Sequence, residues 1–447
     1  MANSFKLSVH SIYLFLTVVL LFINIVYTVD KTSKIESEVI FHLGTKTPYR
    51  IVANTNDSVV EYPGCYPVKI FGIIRHGTRT PGNKVINKVK QIISTVKLSS
   101  HTKDAFAFLE GILWKSQAKK KWSSLLNTGP EKILTTEGEN EMMLLAHRFQ
   151  NRFPSLLPKI FSNSSYFLKY TDTQRTKESA RHFAIGLFGE EASDSVWFPK
   201  PPLQDPILRF YKLCDKWKKE VKKNPMTKYE LNKYKTSPEV HNMQMQVSSR
   251  IGLNYTLSFE TLHLIFTACA FETAWYPHNS SAWCSPFDKK DIEIMEYFEE
   301  LKYFWRDGYG YDINYKQACP LLRKVTDFFM DKAGPKAIFY FTHSGALLKT
   351  LSHIGLYKDD FKLTHDTDLK LRQTRNWNVS KMNSFGNNLV FVLFRCEDGE
   401  KLLTLHQERP VILSGCPKEE LCPFPATRKI MPASADYQCD FTRICSL

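Results

Sequence analysis

The sequence predicts an α/β protein: one sheet with flanking helices, assembled from two separated segments, with a mainly helical domain inserted between them. Three observations predict it. Short, nearly continuous apolar runs stand at residues 68–74, 337–341 and 388–394, and such runs suit strands covered on both faces. From residue 206 to about residue 308 the apolar positions instead recur with helical spacing. Finally, arginines and histidines gather directly after the apolar runs, where open α/β sheets place their ligands. The expected organisation is an α/β domain in two segments, 38–205 and 326–447, around a helical insertion at 206–325.

Residues 11–28 are almost wholly apolar after a weakly basic start with Lys6 and His10. That is the pattern of a signal peptide over residues 1–28, cleaved near Thr28. A polar stretch follows, then the first strand, apolar except for Lys69 and Gly72. Residues 84–122 read as helical, with Lys84, Lys88 and Lys90 in the first turns. Thr135 or Thr136 can cap the next helix, whose buried stripe is Met142, Leu145, Ala146 and Phe149. A short strand at 167–170 leads into a helix ending near Phe188. The proline-rich run 199–206 marks a boundary. The tail beyond Cys416 reads as an extension pinned by cystines.

The chain has 447 residues, ten of them cysteine, an even count that fits an oxidising compartment. Cys416 and Cys422 are too far apart for a metal knuckle and no histidine pair follows, so no metal site is expected. Disulfides are the better reading, with Cys416–Cys422 and Cys439–Cys445 as plausible local closures. Sequons at Asn56, Asn163, Asn254, Asn279 and Asn378 point the same way. The last residues carry no retention tetrapeptide, and no later segment is apolar enough to span a bilayer. A protein secreted or held at the cell surface is expected.

A net charge of +15 suits an anionic partner. Nucleic acid is disfavoured, because there is no recognition motif and no arginine-rich tract with interleaved aromatics. The densest clusters, Lys119–Lys121 and Lys218, Lys219, Lys222 and Lys223, read as solvated helix faces. A small polyphosphorylated molecule fits the charge as well, and it fits the site residues better.

Those residues begin with Arg75-His76-Gly77-Thr78-Arg79-Thr80 at the end of the first strand. Two guanidiniums offer forked donors matched to phosphate oxygens. Between them stands an imidazole that the cations should keep neutral and nucleophilic. Gly77 leaves room for close backbone approach to a ligand. This motif resembles that of the histidine acid phosphatases. Further segments make the chain similar to the multiple inositol polyphosphate phosphatases within that family: Leu43-Gly44-Thr45-Lys46-Thr47, the stretch from Cys284-Ser285-Pro286-Phe287-Asp288 through Arg306-Asp307-Gly308-Tyr309-Gly310-Tyr311, and Asn387-Asn388-Leu389-Val390-Phe391. The likeness spans roughly residues 40 to 400. It implies a histidine-phosphatase-type sheet and a phosphohistidine formed on His76. Arg75, Arg79 and Arg175 would bind the phosphate with His343, and no cofactor would be needed. Activity on inositol polyphosphates is implied, and on bisphosphoglycerate as well. Lys84 and Lys88 are expected to line the approach to the site.

One part of the family pattern is missing. Inositol polyphosphate phosphatases carry an acid two residues after the second histidine, and the wider family carries one directly after it. This chain has Ser344 and Gly345. A placed general acid is typically worth about 10²–10⁴-fold in rate. His353, Asp359, Asp360 and Asp366 are the candidate replacements nearby in sequence, and solvent or a substrate phosphate is the alternative source of the proton. The alternative function is a family member with impaired turnover that binds phosphorylated ligands. A broad acid phosphatase is a third reading, disfavoured by the Gly-Tyr-Gly-Tyr block.

Overall fold

The structure, a computed structural model, describes residues 39–98, 131–277, 281–432 and 439–447. The signal peptide at 1–28, the expected helix beyond Leu98, the Lys119–Lys121 cluster and the Asn279 sequon lie outside the described residues. The longer elements are β1 (Cys65–Arg75), α1 (Asn83–Leu98), α2 (Thr136–Arg152), β2 (Tyr166–Tyr170), α3 (Gln174–Phe188), α4 (Pro238–Arg250), α5 (Phe259–Trp275), α6 (Lys289–Asp307), α7 (Cys319–Met330), β3 (Ala337–Thr342), α8 (Ser344–His353), β4 (Asn388–Cys396) and β5 (Gly399–His406). Two short strands, β6 (Arg409–Pro410) and β7 (Leu421–Pro423), complete one sheet.

The strand order is β2-β3-β1-β4-β5-β6, with β7 also pairing β5. β2, β3 and β1 run parallel, and β4 onward is antiparallel. The sheet is therefore mixed, parallel in one half and antiparallel in the other. The antiparallel half comes from a tight hairpin, in which Cys396 pairs Gly399 across Glu397 and Asp398. Asp-Gly after an apolar run is a strong hairpin signal, yet the sequence reading did not extend to β5.

Side-chain alternation along β1 divides the core into two layers. Ile70 and Ile74 face Met142, Leu145 and Phe149 of α2 and Phe183 and Leu187 of α3. Phe71 and Ile73 face the other way, into a layer that also holds Leu262 and Phe266 of α5, Leu301 of α6, Leu322 of α7 and Leu348 of α8. Both sheet faces are thus covered, which is why β1, β3 and β4 read as unbroken apolar runs. The segment 206–325 is helical where it is regular, and it shares a continuous core with one sheet face. Lys69, the charge inside β1, donates to the carbonyls of Phe328, Asp331 and Ala333 at the end of α7. It thereby satisfies acceptors that a helix terminus leaves open.

All ten cysteines are paired. Cys416–Cys422 forms as expected. Cys439–Cys445 does not: Cys439 joins Cys319, and Cys445 joins Cys214. The final helical turn carries Cys445 into a small core with Cys214, Trp217 and Val221, so the tail is tied to the helical region rather than to itself. These bridges close separations of 120 and 231 residues, and Cys65–Cys396 closes 331. Long closures are the kind that restrict an unfolded chain most in the loop-entropy account. The Asn378 sequon also changes meaning. Asn378 is buried and its side chain caps a helical turn by accepting from Lys381 N, so it does not present an acceptor amide at the surface. Among the described residues, no helix is long and apolar enough to cross a membrane.

Candidate active site

β1 ends at Arg75 and hands the chain to a loop held from several sides. Arg75 N donates to Asn387 O, His76 N to Thr342 O, and Gly77 N to Ser179 Oγ. Glu141 of α2 accepts from both Thr78 N and Thr78 Oγ1, at 2.7 and 2.8 Å. Gly77 is required, although not for ligand approach as the sequence suggested. A Cβ there would lie 2.5 Å from Gly138 O, because the loop and the start of α2 meet backbone to backbone. α2 opens as expected, with Thr135 accepting from Gly138 N.

His76 is 3% exposed, and its Nδ1 lies 2.9 Å from Gly77 O. A carbonyl can only accept, so in the neutral ring Nδ1 carries the proton and Nε2 keeps its lone pair. Burial, together with Arg175, Arg75, His343 and Arg79, pushes its pKa well below the ordinary histidine value. The ring is thus held as a neutral nucleophile. His343, directly after β3, is 8% exposed and stands 5.6 Å from His76 between ring centroids. Its Nδ1 accepts from Arg175 at 3.3 Å, which leaves Nε2–H to donate to Thr171 Oγ1 at 2.9 Å.

A cavity of about 290 Å³ opens over these groups, lined by Arg75, His76, Arg79, Arg175 and His343. The structure therefore brings together five sequence-predicted residues from three strand ends. Arg75 donates Nη1 to the carbonyls of Thr45, Asn383 and Ser384, and its guanidinium lies 4.6 Å from the Phe385 ring centre. Arg79 is backed by Phe271 of α5, whose Trp275 donates to Arg79 O. Burial and the crowding of like charge lower these guanidiniums. Arg75 falls to about 9 through burial and Arg79, and Arg79 to about 10 through burial and Arg175.

Sequence reasoning missed a fourth guanidinium. Arg209 lines the same cavity, with Lys46, Tyr211, Lys212 and Tyr303. Arg209 lies just after the proline-rich boundary and carried no local signal; Lys46 was visible only within the Leu43–Thr47 block. The Nε atoms of Arg75, Arg175 and Arg209 are buried without a hydrogen-bond partner, and the cavity itself, lined by four guanidiniums and two lysines, suits a multiply charged anion. Lys84 and Lys88 are a correction. They line a separate cavity with Lys235, Phe259 and His263, because α1 packs beside α5 rather than over the loop.

The end of β3 also shows the missing acid. Ser344 and Gly345 line the cavity, and Ser344 Oγ accepts from Asn383 Nδ2. None of His353, Asp359, Asp360 and Asp366 lines it. His353 sits at the far end of α8 against Tyr315 O, Asp359 accepts from Asn376 N and Trp377 N, and Asp360 and Asp366 are exposed.

This fold and this cluster of two histidines among guanidiniums define a class. The model of the histidine phosphatase superfamily (branch 2) matches residues 69–407, and the chain belongs to that family, a phosphomonoesterase by class. Among curated relatives it is similar to multiple inositol polyphosphate phosphatase 1 of Drosophila melanogaster, 32% identical over 402 residues, 86% of this chain and 83% of that one. The Homo sapiens protein of the same name is 29% identical over 390 residues, 80% and 78% of the two chains. Among solved structures, the multiple inositol polyphosphate phosphatase of Bifidobacterium longum, complexed with inositol hexasulfate, has a TM-score of 0.71 at 13% identity, over 89% of this chain and 99% of that one. The phytase of D. castellii has a TM-score of 0.73 at 16% identity, over 91% and 87%. At these identities the structural likeness is one of fold.

Proposed function

We propose that the protein hydrolyses phosphomonoesters of inositol polyphosphates in two steps through a phosphohistidine on His76. The observation that carries this reading is the His76 ring itself: proton on Nδ1, lone pair on Nε2, buried among Arg75, Arg79 and Arg175. In the first step Nε2 attacks phosphorus and the inositol oxygen leaves. In the second, water attacks phosphorus and the P–N bond breaks. The guanidiniums of Arg75, Arg79, Arg175 and Arg209 stabilise the equatorial oxygens as charge redistributes, and His343 joins them when its Nε2–H turns from Thr171 to a phosphate oxygen. Lys46 and Lys212, further out in the cavity, supply charge for the other phosphates of a highly phosphorylated ring. Bisphosphoglycerate, with two phosphates, fits the same cavity chemistry. Five disulfides suit an oxidising compartment and thus the secretory pathway.

The test is phosphate release from inositol hexakisphosphate by protein made through a secretory route, beside a His76→Ala control. Release by the wild type alone supports the reading. Tight binding of the hexakisphosphate without release would favour the ligand-binding alternative that the missing acid suggests.

A further inference from the structure

The leaving inositol oxygen needs a proton, and the two positions after His343 cannot give one. A serine hydroxyl is far too weak an acid and glycine has none. The nearest carboxylate is Asp307, whose Oδ1 would lie 3.4 Å from a Cβ at position 345. Asp307 is unsuited. Burial works against its charge, but Arg306 and Lys349 pair with it at 2.8 and 3.0 Å and hold its carboxyl below the usual range. It stays ionised, and it does not line the cavity.

Two phenols line the cavity, Tyr211 and Tyr303; burial raises Tyr211 despite the neighbouring Arg209, which leaves Tyr303 as the stronger acid. Tyr303, on the penultimate turn of α6, is 9% exposed and reaches Thr45 Oγ1 at 3.2 Å. The Thr45 carbonyl in turn accepts from Arg75 Nη1 at 2.8 Å, so the phenol is linked through Thr45 to the phosphate-facing arginine. Cations surround the ring: Lys302 Nζ lies 5.0 Å from its centre and Arg306 Cζ 4.9 Å. Lys46 approaches from the preceding loop, and Arg75 and Arg79 from the motif. The opposing charge is Glu299, already shared among Lys46, Lys302 and His263.

We propose that Tyr303 is the proton donor and acceptor of the reaction, standing in for the acid missing after His343. The inference rests on the phosphatase reading above. In the first step the P–O ester bond breaks as Nε2 of His76 bonds phosphorus, and the phenol proton passes to the departing inositol oxygen. Lys302, Lys46 and Arg306 stabilise the phenolate left behind. In the second step the phenolate takes a proton from water, the hydroxide bonds phosphorus and the P–N bond breaks. His76 and Tyr303 both return to their starting states. The surroundings of the phenol fit this role. Burial raises the phenol and Glu299 opposes ionisation, but Lys302, with Lys46 and Arg306, brings it down to about 8. It is thus protonated at neutral pH, and activity that needs its proton falls as pH rises through that value.

The test compares wild type and Tyr303→Phe on inositol hexakisphosphate and on 4-nitrophenyl phosphate, each across pH. The aryl oxygen leaves without help, so in kcat/KM, which reports phosphoryl transfer to His76 and not the later hydrolysis common to both esters, the substitution is expected to cost ~10²-fold or more on the inositol ester and less than about threefold on the aryl ester. The basic limb near pH 8 should vanish with it, and Gly345→Glu in the Tyr303→Phe background should restore part of the loss. Equal losses on both esters, or none, overturn the role of Tyr303 and leave the phosphatase reading standing. A wild type that turns over neither ester overturns both. Should Tyr303→Phe not fold, the wild type decides: a basic limb near 8 on the inositol ester and none on the aryl ester supports the role, and identical limbs overturn it.

Discussion

The two halves of the cavity are built on opposite principles. The phosphate-holding half, from the end of β1 and the start of α3, is a concentration of positive charge around a neutral imidazole. Its guanidiniums repel one another, carry buried nitrogens without partners, and have lowered pKa values. Behind the leaving-group half, which Tyr303, Ser344 and Gly345 line, the charges are closer to balanced. There Asp307 answers Arg306 and Lys349, and Glu299 answers Lys46 and Lys302. The first half gathers like charge, whereas in the second every cation has a carboxylate partner, at two cations to each carboxylate. An unbalanced half marks where charge must bind, and a balanced half marks where a proton can be held and returned.

The sharpest way to break this comparison is to remove the nucleophile. His76→Ala should lower turnover of every phosphomonoester by more than about 10³-fold, because no neighbouring group in the motif can carry the phosphoryl. Steady-state assays on inositol and aryl esters check it, and residual activity on either would move the nucleophile elsewhere. Arg175→Ala comes next. Its guanidinium acts on phosphate oxygens common to all substrates, so kcat/KM should fall by roughly 10²–10³-fold on both kinds of ester alike. A loss confined to one ester would place Arg175 on the leaving-group side.

Gly345→Glu probes the other half. The backbone there accepts a side chain, with Asp307 Oδ1 as the nearest neighbour at 3.4 Å. That like charge favours the protonated form of the new carboxyl. Turnover of the inositol ester is expected to rise about tenfold relative to the aryl ester; an unchanged ratio would show that the proton already arrives efficiently. The acid limb of kcat/KM on the aryl ester is a gentler test. Burial and the surrounding cations depress His76, so the free enzyme should keep its neutral nucleophile at pH values well below 6.5 and lose activity only on stronger acidification. A limb at or above 6.5 would mean the imidazole does not feel its arginines. Smallest of all, Lys84→Ala and Lys88→Ala should change kcat/KM by less than about twofold, since both face a different cavity.

The same division explains what could be read from the sequence. β1, β3, β4 and the stripe of α2 were legible because burial on both faces or on one helix face leaves a local pattern. Arg75, His76 and Arg79 stand together in one motif. Arg175 and His343 follow strands, and the family resemblance singled them out. β5 was legible in principle from Asp398-Gly399. Arg209 and Tyr303 were not: Arg209 sits in no motif, and Tyr303, although inside the stretch from Cys284 to Tyr311, has no local feature that marks it as a site residue. They become site residues only where a segment near 210 and the end of α6 fold against the end of β1, and that convergence is tertiary. Cys439 and Cys445 failed for the same reason: their spacing equals that of Cys416 and Cys422, and only the path of the tail separates a local bridge from two distant ones.

The central claim is that phosphorus bonds to His76. Mixing the protein with 4-nitrophenyl phosphate labelled on phosphorus, quenching in alkali within a turnover and mapping the labelled peptide tests it directly. The expected result is an acid-labile, alkali-stable phosphoryl label on the peptide bearing His76, absent from His76→Ala. A label on another residue would contradict the account, as would turnover without any label at all under single-turnover conditions.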